Sequence, residues 1–104
     1  MQIKINTDHN IHGDERLKEI ARDIVSHGVA HLLERLTRIE VHLQNASATR
    51  AGPQDIRCVI EARPEGMKPI AVTHNDANVE AALRGGARKL RDRLDSEFGK
   101  LDRR

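Results

Sequence analysis

Two histidines, one cysteine, a glycine pair and a row of arginines and lysines are the residues in this 104-residue sequence whose types and spacing could do chemistry. His27 and His31 stand four apart, which on a helix brings two imidazoles to one side, as in some zinc sites. No third ligand has matching spacing, so no metal is expected, and one would need a further ligand from elsewhere in the chain. His9 and His12 fall in a turn-rich stretch and read as solvated turn residues. Cys58 lies on the inward phase of an alternating segment, where a thiol behaves as a small hydrophobe and not as a nucleophile. Gly85-Gly86 matches neither Gly-x-Gly-x-x-Gly nor the lysine-bearing phosphate loop, and it sits inside a predicted helix, not at its start. It reads as a place where the helix packs closely, kept against a propensity cost of about 1–2 kcal/mol. Catalysis needs groups that converge, and the spacing brings none together. No enzyme, no cofactor and no small-molecule substrate are expected.

The cations are more informative. The chain carries 18 Lys and Arg against 16 Asp and Glu, a formal charge of +2, but residues 1–52 sum to zero. From Val79 to Arg104 eight basic residues face five acidic ones, leaving +3 on one segment. At 100° per residue Arg84, Arg88 and Arg91 line one flank of that segment's leucine stripe, and Lys89, Arg93 and Lys100 line the other. One reading is an ordinary solvated helix face, since Asp92 and Asp95 can pair locally and surface pairs contribute only ~0–1 kcal/mol. The other is phosphate contact, to which arginine's fixed donor fork is suited. Phe98 is the only Phe, Trp or Tyr, so a sheet that stacks unpaired bases is disfavoured. A structured RNA read through its backbone and shape remains.

The elements that position these residues follow from periodicity. Ile3 and Ile5 alternate with Gln2, Lys4 and Asn6, a first strand. Helical spacing begins at Asp14 with Leu17, Ile20, Ala21, Ile24, Gly28, Leu32 and Leu36, predicting one helix over about 14–37, or about 36 Å at ~1.5 Å per residue. Alternation returns with Ile39, Val41 and Leu43, then with Ile56, Cys58, Ile60 and Ala62, and again with Ile70 and Val72. The stretch from Asn45 to Pro53 is a loop between hairpin strands, and Pro64-Glu65-Gly66 is a turn. Asn75 to Asn78 supplies N-cap candidates for a last helix with a stripe of Val79, Leu83, Gly86, Leu90, Leu94 and Leu101. The order is β-α-β-β-β-α. Each strand has one apolar face, so both helices lie on that face of a four-stranded sheet in a two-layer α+β sandwich. Lys4, Arg38, Glu40, His42, Gln44, Arg57, Glu61 and Arg63 face away.

Length supports a single domain over 1–104, with the last few residues frayed. A lone cysteine, no recognisable leader and no apolar run near the ~20 residues of a membrane span point to a soluble cytoplasmic protein without a membrane partner.

The opening Met-Gln-Ile-Lys-Ile-Asn, Leu17-Lys18-Glu19 early in the first helix, the Arg38-Ile39 strand entry, and Val79-Glu80-Ala81-Ala82-Leu83 followed by Arg88-Lys89-Leu90 and Leu94 resemble the bacterial ribosome hibernation-promoting factor and ribosome-associated inhibitor family. The resemblance spans the chain, which looks like a short form. It departs from the family's pattern at Val79 and Glu80, where an aromatic is usual, and in the acidic Asp92 and Asp95. The resemblance implies a domain similar to double-stranded RNA-binding domains, with the small ribosomal subunit and its rRNA as partners. Members occupy the channel of mRNA and tRNA and block translation in stressed or stationary cells. It also implies that basic residues of both helices face rRNA: Lys18 and Arg22 on the first, and Arg84, Arg88, Lys89, Arg91, Arg93 and Lys100 on the second. Three alternatives stay open: a small protein-interaction module using its polar sheet face or sheet edges, an RNA-binding paralogue that does not bind the ribosome, and a metal-dependent enzyme built on His27 and His31. The sequence leaves the oligomeric state open.

Overall fold

The computed structural model describes residues 1–46 and 55–103. Strand β1 (Gln2–Thr7) leads into helix α1 (Glu15–Gly28) and a 3₁₀ segment (Ala30–Arg35), followed by β2 (Leu36–Asn45), β3 (Ile56–Pro64), β4 (Ile70–Asp76) and helix α2 (Val79–Asp102). The sheet order is β1-β2-β3-β4. β1 runs parallel to β2, with Ile3 beside Ile39 and Ile5 beside Val41, because α1 carries the chain back to the end at which β1 began. The other two pairings are antiparallel, with Val41 beside Ile60 and Ile60 beside Val72. The amide of Ala46 donates to the Asp55 carbonyl at 2.8 Å and closes the base of the β2–β3 hairpin. The predicted loop from Asn45 lies mostly in residues 47–54, outside the described residues; Asn45 itself ends β2. Gly66, at φ +75°, makes the β3–β4 turn in a conformation that favours glycine.

The core is aliphatic and sits on one face. Ile5, Ile39, Val41, Leu43, Ile56, Cys58, Ile60, Ala62 and Ile70 from the strands meet Ala21 and Val25 of α1 and Ala82, Leu83, Leu90 and Leu94 of α2. This is the two-layer α+β sandwich that the single apolar face of each strand requires. Gly85 and Gly86 let α2 approach the sheet. A Cβ on Gly86 would lie 3.1 Å from Ile60 Cδ1 and 3.2 Å from Cys58 Sγ, and one on Gly85 would lie 2.2 Å from the His74 ring atoms Cδ2 and Nε2. A larger side chain at either position would have to displace Ile60 and Cys58 or the His74 ring.

Four expectations are corrected. The first helix does not run to Thr37: it ends at Gly28, Val29 leaves helical geometry at φ −121°, and a 3₁₀ segment continues to Arg35. The apolar spacing concealed this break, since 3₁₀ turns also bring residues three apart to one side, and Val29 and Leu32 are both buried. Ile20, expected in the α1 stripe, is 38% exposed. Leu101 does not close the α2 stripe either. It is 41% exposed, whereas Phe98 is 4% exposed. The Arg35 guanidinium lies 3.9 Å over the Phe98 ring and donates to both Asp102 carboxylate oxygens at 3.0 and 3.1 Å, which seals Phe98 against the 3₁₀ segment. The β4 strand also runs past Val72, the last residue of its expected alternation, to Asp76, and Asn78 is the N-cap of α2, accepting from the Ala81 amide at 2.8 Å.

Candidate anion-binding surface

The 14 residues of α1 and the 24 of α2 pack against each other as well as on the sheet. Where they meet, Asp23, Ile24, His27 and Gly28 face Arg84, Ala87, Arg88 and Arg91 across a groove of about 440 Å³. Gly28 and Ala87 make the close approach: a Cβ on Gly28 would lie 3.1 Å from that of Ala87. The cationic wall comes from helical spacing, because steps of four and three residues bring Arg84, Arg88 and Arg91 to one flank of α2. Arg84 is held by Glu80, with Nη2 donating at 2.8 Å and Nε at 3.1 Å. Arg91 donates to Asp92 at 3.1 and 3.2 Å. Arg88 makes no hydrogen bond or ion pair with any described residue.

The other expected contact residues lie elsewhere. Lys89 donates to the Thr73 carbonyl at 3.1 Å, which ties the opposite flank of α2 to β4. Arg93 and Lys100 share Glu97, at 3.6 and 3.9 Å. On α1, Arg22 is half-buried and its Nε donates to the Ile3 carbonyl at 3.4 Å, bracing the helix against β1. Lys18 lies one turn earlier on the same side, 3.8 Å from Glu15. The eight residues thus form three groups. Of these, Arg84, Arg88 and Arg91 line one concavity together.

Asp23, Ile24 and His27 complete that concavity and were not singled out with the arginines from sequence. The spacing of His27 from Asp23 is a usable signal only once α1 is known to face α2. His27 does not pair with His31, because the helix breaks between them. His31 instead places Nε2 2.7 Å from Asp95 Oδ1 of α2. Among the described residues there is no group of three or more His, Cys, Asp or Glu positioned to hold a metal ion. Cys58 is buried under Gly86, and burial pushes its thiol up to about 12, the opposite of an activated nucleophile.

The open face of the sheet offers charge but no stacking platform. Arg38 and His42 flank Glu40, His42 at 3.4 Å, and Arg63 pairs with Glu61 at 3.2 Å. Partial desolvation works to raise the Glu40 carboxyl, yet Arg38, His42 and Lys4 together outweigh it and leave the group below its ordinary range. The chain's one Phe, Trp or Tyr, Phe98, is in the core and unavailable to a base.

No protein-family model and no curated protein sequence matches this chain. Solved structures do. A ribosomal subunit interface protein from Coxiella burnetii superposes with a TM-score of 0.78 at 11% identity, over 95% of this chain and 99% of that one. The N-terminal domain of protein Y from Thermus thermophilus superposes with a TM-score of 0.73 at 17% identity, over 92% of this chain and 98% of that domain. At these identities the likeness is one of fold, and it extends over nearly the whole length of all three. Among the described residues no helix is long and apolar enough to cross a membrane.

Proposed function

We propose that this chain belongs to the ribosome hibernation-promoting factor and ribosome-associated inhibitor family that its sequence resembles. In this reading it inhibits translation without catalysis, by binding small-subunit rRNA where mRNA and tRNA pass, in stressed or stationary cells. The observation that carries the reading is the end-to-end agreement of fold with a protein named for the ribosomal subunit interface. The arginine-lined side of α2 supplies the chemistry. Phosphate oxygens replace Glu80 and Asp92 at little cost, because exposed ion pairs are worth only ~0–1 kcal/mol, and Arg88 has no hydrogen-bond or ion-pair partner among the described residues to give up. Recognition through backbone and shape suits a chain with no exposed Phe, Trp or Tyr.

Sucrose-gradient sedimentation of cell lysate tests this directly. The protein is expected to travel with small subunits and whole ribosomes at low salt. If about six phosphate contacts form, log affinity falls against log salt with a slope of about −4 to −5, using ~0.7–0.9 per phosphate. Protein that stays at the top of the gradient at every salt concentration refutes the reading.

A further inference from the structure

The groove between α1 and α2 has features that an RNA backbone alone does not use. Its α2 wall carries three guanidiniums over about 10.5 Å of helix, at ~1.5 Å per residue. Its α1 wall is mixed, with the apolar Ile24 beside the Asp23 carboxylate and the His27 imidazole. Asp23 repels a bare polyphosphate, but it accepts hydrogen bonds from hydroxyl and amine groups. The floor at Gly28 and Ala87 is low because both residues are small. A volume of about 440 Å³ falls within the ~300–1,000 Å³ usual for small-molecule sites.

We propose that this groove binds a nucleotide carrying at least two adjacent phosphates. Arg88, with Arg84 and Arg91 to either side, takes the diphosphate through bidentate charge-assisted bonds. Ile24 lies against the apolar part of the nucleoside, and Asp23 accepts from a ribose hydroxyl or an exocyclic amine. The nucleotide is a ligand and not a substrate, since no bond is made or broken. The proposal needs no ribosome. Because it engages the arginines proposed above for rRNA phosphates, a bound nucleotide competes with that contact.

The test is a titration of the full chain with ADP, GDP and inorganic pyrophosphate, followed by backbone amide NMR shifts. The expected result is saturation with a Kd of about 1 mM or tighter for the nucleotides, with shifts concentrated at residues 23–28 and 84–91. Arg88→Gln should weaken all three probes by about 10- to 100-fold, as expected for loss of charge-assisted bonds. It removes no hydrogen bond or ion pair among the described residues, and an otherwise unchanged amide spectrum verifies the fold. Asp23→Asn should weaken both nucleotides and leave pyrophosphate equal or tighter. Three results would each overturn the proposal. One is shifts that never saturate; another is shifts at Arg93 and Lys100 as large as those at Arg88. The third is nucleotide binding indifferent to Asp23→Asn. Ribosome sedimentation plays no part in the titration, so failure of either reading leaves the other intact.

Discussion

The two cationic flanks of α2 look alike in sequence and differ in what stands opposite them. Arg84, Arg88 and Arg91 face a second helix, whose Asp23, Ile24 and His27 turn a convex flank into a groove. Lys89, Arg93 and Lys100 are engaged singly or in pairs instead: the first is tied to the β4 backbone and the other two share Glu97. Charge alone therefore does not define a site. A cation becomes selective when a neighbouring element limits which anion can reach it and when the protein does not already satisfy it. Arg88 meets both conditions.

The stripe that separates the flanks offers the largest way to break this arrangement. Gly86→Leu drives a side chain toward Ile60 and Cys58, where even a Cβ would lie 3.1 Å from its nearest neighbour. Overpacking of this kind costs about 1–3 kcal/mol, or a Tm fall of ~4–8 °C per kcal/mol for a domain near this size. Urea and thermal melts measure it. Unchanged stability would mean that α2 does not depend on close seating, and the groove it helps to form would lose its rigid wall.

Next in size is the contrast between the flanks. Changing Arg84, Arg88 and Arg91 together to Gln should leave stability nearly unchanged and reduce the salt slope of ribosome binding by about 2–3, one step of ~0.7–0.9 per lost phosphate contact. Changing Lys89, Arg93 and Lys100 together to Gln should reduce the slope by less, because each of these cations leaves a carbonyl or a carboxylate to reach a phosphate, whereas Arg88 has no partner among the described residues to leave. Sedimentation at several salt concentrations decides between them. An equal or reversed order would mean that the polyanion tracks the β4 side of α2.

Much of this molecule is legible in its sequence because its strands are half-buried. A period of two with one apolar face exposes each strand and its inward phase, and it correctly assigns Cys58 to the core. Glycines within a leucine stripe likewise signal close packing. Gly28 inside the first apolar stripe marks a bend or a close approach, and both occur there, but the change to 3₁₀ geometry beyond it is not legible, since α and 3₁₀ geometry both bury residues three or four apart and so leave the same apolar pattern. The groove is illegible for another reason. It is a relation between residues 23–28 and 84–91, and no local period reports which flank of one helix faces which flank of another. The same holds for Phe98 and Leu101, where contact with Arg35, not position in the stripe, decides which is buried.

The smallest effect concerns the C-terminal end of α2, beyond the groove. Hydrogen bonds from Arg35 hold the Asp102 carboxyl below its ordinary range, while Arg35 caps Phe98. A carboxyl lowered in the folded state stabilises the fold at pH values above its unfolded-state pKa, and this contribution is lost as pH falls through the lowered folded value. Unfolding followed from pH 6 downward should therefore show an acid-dependent loss to which Asp102 contributes. Asp102→Asn should flatten that dependence slightly while lowering stability at pH 6, with the change in amide exchange confined to the last turns of α2. The site is exposed and screened by salt, so the difference should shrink at high ionic strength. If Asp102→Asn instead alters nucleotide or ribosome binding, the end of α2 and the groove are coupled, and the flanks cannot be treated as features of a rigid helix.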